Sequence, residues 1–258
     1  MCIIVHSKTG EIPDLNLLHT AWKNNPHGLG IMWAENGRVE TYHEIPTSFE
    51  AVVEAMAMPD GRPWAMHFRW VTRGKLTEKQ CHPFEVCSVD TASGDLWMMH
   101  NGTMNFMDIE CKLTGKSDTQ LFAEMLRRTV RRMGPEDGLE RILSKQTMEY
   151  LRSQVGAFNK LVFLDSLGDF HFINHKAGVT LGKFWFSNTY SFQEGYRDKA
   201  EACEALGVNP SKIYVPLPKY NPPIKGVSYV SRGAKIVDKA DTKATGKLAV
   251  RTRPSKSK

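Results

Sequence analysis

A chain of 258 residues with 41% hydrophobic and 24% charged side chains has a globular composition, long enough for one large domain or two small ones. No apolar run approaches the length of a membrane span, and Cys2–Val5 is too short for the core of a signal peptide, so a soluble, cytoplasmic protein with no membrane partner is expected. The formal net charge of +6 belongs to the tail: from residue 231 onward nine Lys/Arg face two Asp/Glu, which leaves 25 basic and 26 acidic residues on the body.

Along the chain, CIIV reads as a short buried strand. Asp14 is placed to cap a helix that puts Leu15, Leu18 and Trp22 on one face. GIMWA and RVETYH flank Asn36-Gly37, a strong hairpin signal. Ser48 is placed to cap a helix running to about Met58. WAMHF, DLWMMH, KLVFLD and FHFIN follow as strands, the last two joined at Leu167-Gly168-Asp169. Ser117 and Gln120 form the pattern of a capping box at the start of a helix with Leu121, Phe122, Met125, Leu126, Val130 and Met133 in one stripe. Further helices are predicted over Lys145–Val155 and Glu194–Leu206. Strands mixed with helices, without regular alternation, give an α+β class with antiparallel sheets. The composition predicts one domain over 1–210, a Pro-rich connector over 211–230 and a basic, disordered tail over 231–258.

The five cysteines are odd in number and irregularly spaced, which argues against a disulfide framework. The spacing of Cys81, His82, Cys87 and Cys111 matches no zinc finger or ribbon. Three stretches have compositions that packing alone does not ask for: HFRWVTRG (67–74) with CHPF after it, MMHNGT (98–103) and KSDT (116–119). Together with Cys2 they contain what cleavage of a free amino acid's side-chain amide needs. Cys2 supplies a thiol, and its own α-amino group, of unperturbed pKa about 8, supplies a base once Met1 is removed. Arg69 offers a planar fork for a carboxylate and Asp118 a partner for an ammonium. Asn101 and the main-chain N–H of Gly102 suit an oxyanion hole.

These motifs, in this order, resemble the class II (N-terminal-nucleophile) glutamine amidotransferases. The family pattern is an N-terminal Cys, His-x-Arg-x-x-Thr-x-Gly, His-Pro, His-Asn-Gly and Ser-Asp-Thr/Ser. It appears here as Cys2, HFRWVTRG, His82-Pro83, His100-Asn101-Gly102 and Ser117-Asp118-Thr119, with an echo of a further element in PHGLGIMW. The resemblance covers residues 2 to about 190. It departs at Ile3, where most members have Gly, and at Gln120, where Glu is usual.

The resemblance implies a four-layer α/β/β/α sandwich of two antiparallel sheets, the N-terminal-nucleophile hydrolase fold. It implies glutaminase activity through a γ-glutamyl thioester on Cys2, with no cofactor and no metal. Asn101 and Gly102 then form the oxyanion hole, Arg69 and Thr72 bind the carboxylate of L-glutamine, Asp118 binds its α-amino group, and Trp70 and Arg73 line the glutamine loop. His67, His82 and His100 are expected to be structural hydrogen-bonders. A separate acceptor or synthase subunit for the ammonia is favoured over a stand-alone amidohydrolase. The alternatives are an N-terminal-nucleophile hydrolase on another γ-glutamyl or amide substrate, and an idle relative acting as a binding module. For the tail, a solubilising extension is favoured over contact with nucleic acid.

Overall fold

Ile3, Ile4 and Val5 are apolar at consecutive positions because the strand they form is covered on both faces. Ile3 and Val5 pack toward helices, while Ile4 packs toward a second sheet. The computed structural model describes residues 2–134 and 137–189 and the backbone of two further strands, Val227–Val230 and Lys235–Asp238. In chain order the elements are β1 (Ile3–Ser7), α1 (Leu15–Asn24), β2 (Leu29–Glu35), β3 (Arg38–Glu44), α2 (Phe49–Ala55), β4 (Trp64–Phe68), β5 (Phe84–Cys87), β6 (Leu96–Asn101), α3 (Asp108–Thr114), α4 (Asp118–Met133), α5 (Gly138–Leu143), α6 (Lys145–Val155), β7 (Lys160–Asp165), β8 (Phe170–Ile173), β9 (Val179–Leu181), β10 (Phe184–Phe186), β11 (Val227–Val230) and β12 (Lys235–Asp238).

Apart from the two-stranded pair β11-β12, the strands form two antiparallel sheets. One has the order β3-β2-β4-β1-β10-β9 and the other β5-β6-β7-β8. Three apolar layers separate the elements. Leu17, Leu18 and Ala21 of α1 and Phe49, Val52 and Val53 of α2 pack on the outer face of the first sheet, against Ile31, Trp33 and Met66. Ile4, Met32 and Ala65 meet Met99, Val162 and Leu164 between the sheets. Phe122, Leu126 and Val130 of α4, with Ile142 and Leu151, cover Met98, Leu161 and Phe163 on the far side. The fold is therefore the expected α/β/β/α sandwich.

Local chemistry follows the predicted signals closely. Asp14 Oδ1 accepts from the N–H groups of Asn16 and Leu17, and Ser48 Oγ accepts from Ala51. Asn36 (φ 54°) and Gly37 (φ 73°) make the β2–β3 turn. The helix after Ser48 is shorter than predicted, ending at Ala55 before a run of turns. The capping box at Ser117 is half made. Ser117 Oγ accepts from the Gln120 N–H, but Gln120 Oε1 is buried with no partner and returns no bond. Arg127, off the apolar stripe of α4, donates to the Glu85 carbonyl and so ties α4 to β5 rather than facing solvent alone.

The predicted helix Glu194–Leu206 and the boundary at 210 lie outside the described residues. So do the connector and the tail, apart from β11 and β12, which pair antiparallel from Val227↔Asp238 to Val230↔Lys235. Their sequences, VSYV and KIVD, are rich in residues that favour strands. No helix among the described residues is long and apolar enough to cross a membrane.

Candidate active site

The ends of β1, β4 and β6 and the start of α4 converge on one narrow cavity. It is lined by Cys2, Arg69, Trp70, Thr72, Arg73, His82, His100, Gly102, Ser117, Asp118 and Thr119. Seven of the eight residues singled out in the sequence are among them. The eighth, Asn101, is buried between two lining residues, His100 and Gly102.

Cys2 stands immediately before β1, and antiparallel pairing sets Ile3 opposite Phe68, the residue before Arg69. The thiol consequently meets the main chain of Trp70: the Trp70 N–H donates to Sγ at 3.2 Å, and Sγ lies 3.3 Å from the Trp70 carbonyl. Burial raises the thiol pKa, opposed by the Trp70 N–H and the Arg69 guanidinium, while the Asp118 carboxylate raises it further. A base that takes the thiol proton would therefore be needed to make the sulfur a nucleophile.

Arg69 is buried, and its guanidinium donates to the carbonyls of Lys75 (3.0 Å) and Arg73 (3.3 Å) and to Gln80 Oε1 (3.3 Å). All of these acceptors are neutral. Burial lowers its pKa, against the raising effect of neighbouring Cys81, Cys2 and Asp118. Asp118, also buried, accepts from the Met104 N–H (2.8 Å) and the Thr119 N–H (2.8 Å) and has no cation within ion-pair distance among the described residues. Its place in the first turn of α4 favours its negative charge. A guanidinium and a carboxylate, each buried and each lacking a counter-ion, therefore open onto the cavity that holds the thiol.

Arg73 differs from Arg69. It is engaged by Asp108 and by Asn105 Oδ1 (3.2 Å), so it pins the 70–76 segment to the start of α3 and is not a free cation. The Trp70 ring is 41% exposed and packs on His27, 4.5 Å between ring centres. Thr72 is an exposed lining residue. Gly102 has φ 148°, and a Cβ there would lie 2.2 Å from Asn159 Oδ1, so no other residue fits between the cavity and Asn159. The echo PHGLGIMW has a packing cause as well: a Cβ on Gly28 would strike Cys81 Sγ, and one on Gly30 the His82 carbonyl.

Of the three histidines expected to be structural hydrogen-bonders, His100 is one, whereas both ring nitrogens of His67 and Nδ1 of His82 are buried without a hydrogen-bond partner among the described residues. His100 Nε2 lies 2.8 Å from Asn159 Oδ1, which can only accept, so Nε2 carries the proton and Nδ1 accepts from Thr119 Oγ1 at 2.9 Å. Burial holds His67 and His82 well below the ordinary imidazole pKa, and their rings lie 3.9 Å apart. Among the described residues no group of three or more His, Cys, Asp or Glu is arranged to hold a metal.

Three contributors escaped the sequence reading. Gln80 joins Arg69 Nη2 and the Lys75 N–H through Oε1 and the Gly115 carbonyl through Nε2. Ser187 and Asn188, following β10, reach the site from the far end of the fold: Asn188 Nδ2 donates to the Cys2 carbonyl at 2.8 Å, and Ser187 Oγ contacts both Asn101 and the Ile4 N–H. The signal for the latter pair was a polar run, Ser-Asn-Thr, directly after the apolar Phe-Trp-Phe. A larger cleft of about 550 Å³ opens between α6 and the Phe172–Ala177 segment and contains none of the predicted site residues.

No protein-family model matches the chain, and no curated protein matches it. Among solved structures, it is similar to the glutamine phosphoribosylpyrophosphate amidotransferase from B. subtilis, at 16% identity and a TM-score of 0.48 over 81% of this chain and 44% of that one. A structure described as the allosteric regulatory enzyme of purine biosynthesis is similar at 15% identity and a TM-score of 0.48, with the same coverage. A predicted glutamine amidotransferase from Pseudomonas aeruginosa PA01 is similar at 16% identity and a TM-score of 0.34, over 71% of this chain and 78% of that one. The chain spans less than half the length of the first two.

Proposed function

We propose that the chain is a glutamine amidotransferase whose glutaminase site is the Cys2 cavity. The observation that carries this reading is the pair of uncompensated buried charges, Arg69 and Asp118, opening onto the cavity of a thiol. A buried charge without a partner is costly, and an amino-acid zwitterion supplies both missing partners at once: its carboxylate to Arg69 and its ammonium to Asp118. An amide or γ-glutamyl substrate lacking either end would leave one charge orphaned.

With Cys2 at the amino terminus, its α-amine takes the thiol proton and the sulfur attacks the glutamine side-chain carbonyl carbon. The oxyanion formed is held by the Gly102 N–H and the Asn101 amide. The carbon–nitrogen bond breaks as the α-ammonium returns its proton to the leaving nitrogen, giving ammonia and a γ-glutamyl thioester. Water, deprotonated by the same amine, then attacks the thioester and releases glutamate and the free thiol. Transfer of the ammonia to an acceptor on a separate subunit is part of the proposal.

In the chain that still carries Met1 the cavity has a volume of about 20 Å³, room for about one water molecule and too little for glutamine. One lining segment without helix or strand is 70–77, held down by Arg69, Arg73 and Gln80. A glutamine-like electrophile is the direct test. Mass spectrometry should find Cys2 at the amino terminus and singly modified on sulfur, with free glutamine protecting it. A retained Met1, or labelling of other cysteines alone, would contradict the proposal.

A further inference from the structure

Asn101 Nδ2 is set 2.7 Å from Ser187 Oγ, and Ser187 Oγ also takes the Ile4 N–H at 2.8 Å. In that arrangement the hydroxyl receives two donors, none of the described hydrogen bonds uses its own hydrogen, and Asn101 Oδ1 is buried with no partner. Ser187 itself is fully buried. The two ends of a carboxamide have nearly the same shape, so turning the Asn101 amide by half a revolution costs no space. Ser187 O–H then donates to Oδ1 and still accepts from Ile4, and two unsatisfied groups are reduced to one. The group left over is a donor, Nδ2, on a residue flanked by the cavity-lining His100 and Gly102. An orphaned acceptor has no use beside a developing oxyanion, whereas an orphaned donor is what that charge requires.

We infer that Ser187 is the positioning residue of the oxyanion hole: its hydroxyl holds the Asn101 carboxamide with Nδ2 outward, ready for the tetrahedral intermediate. This rests on the amidotransferase reading of the Cys2 cavity. The same dipeptide anchors the nucleophile, since Asn188 Nδ2 holds the Cys2 carbonyl. Ser187–Asn188 thus ties the attacking sulfur and the oxyanion donor to one point of the backbone, which is itself joined to β1 by the Ser187 N–H to Ile4 carbonyl bond at 2.9 Å.

Steady-state glutaminase kinetics of the full chain test this through Ser187→Ala, Asn101→Ala and the double variant. Asn101→Ala is expected to lower kcat about 100-fold or more, as loss of an oxyanion donor does. Ser187→Ala should lower kcat at least about 10-fold with KM nearly unchanged, and the double variant should be no slower than Asn101→Ala, because Ser187 acts through Asn101. Ser187→Thr, which keeps the hydroxyl, should recover most of the rate. Multiplying effects in the double variant, or a Ser187→Ala defect confined to KM, would overturn the inference. Neutron diffraction of the wild-type protein reads the amide independently of turnover and of whether the variants fold. A hydroxyl hydrogen pointing from Ser187 to Asn101 supports the inference, and amide hydrogens pointing at Ser187 overturn it. If the wild type releases no ammonia, the amidotransferase reading falls and the catalytic role with it, while the neutron map still decides the orientation.

Discussion

Arg69 and Asp118 are opposite charges that open onto the same buried cavity without pairing: the guanidinium is spent on neutral carbonyl oxygens and the carboxylate on backbone N–H groups. Arg69→Ala should raise KM for glutamine by about 10- to 100-fold with a smaller effect on kcat, because the carboxylate it binds is remote from the reacting carbon. Asp118→Asn should do the same through the ammonium. A glutamine analogue without the α-amino group should be a poor substrate for the wild type, yet lose little further in Asp118→Asn. Equal additional loss in both proteins would show that Asp118 does not meet the ammonium.

Gln80 is a clasp between two walls of the cavity. One amide end holds Arg69 and the Lys75 N–H, and the other holds Gly115, two residues before the Ser117 cap of α4. A Cβ on Gly74 would lie 1.9 Å from Gln80 Oε1, so the segment is fitted tightly around this side chain. Gln80→Leu should leave the fold intact and raise KM for glutamine, since the side chain keeps its bulk and loses its bonds. Limited proteolysis in the 70–77 segment should become faster. Unchanged KM and unchanged cleavage would remove Gln80 from the account.

Stability should fall on mild acidification. Burial, partly opposed by the bond between Nδ1 and the Trp64 carbonyl, lowers the His6 pKa from 6.5 to about 4, with His175 and Lys8 adding repulsion. Above pH 6.5 neither the folded nor the unfolded chain binds this proton. Between pH 6.5 and about 4 only the unfolded chain does, so stability is lost as pH falls through that window. The loss from His6 alone is on the order of 3 kcal/mol. His67, His82 and His100 act in the same direction. Thermal melts from pH 7 to pH 4 should show the decline, with a shallower slope in His6→Gln. An identical slope would mean that His6 titrates normally in the folded protein.

Much of this was legible in the sequence because it is local. Asp14, Ser48 and Ser117 each cap the helix that begins beside them, and Asn36-Gly37 closes a hairpin between adjacent strands. The site motifs were legible as a set, in order, although nothing in the spacing placed Cys2 against Trp70, 68 residues away. Antiparallel pairing of β1 with β4 does that. What could not be read depends on contacts of still longer range. Ser187 reaches Ile4 across 183 positions and Asn101 across 86. The three-residue strands β9 and β10, too short to show a period, escaped notice for the same reason. The missing return bond of Gln120 shows the opposite failure, a local pattern that the tertiary structure does not complete.

Release of ammonia from L-glutamine by the purified chain, beside its Cys2→Ala and Cys2→Ser variants, tests the central claim most directly. Steady turnover by the wild type, with both variants folded yet reduced to background, is the predicted result. Undiminished release by either variant would show that the sulfur at position 2 is not the nucleophile.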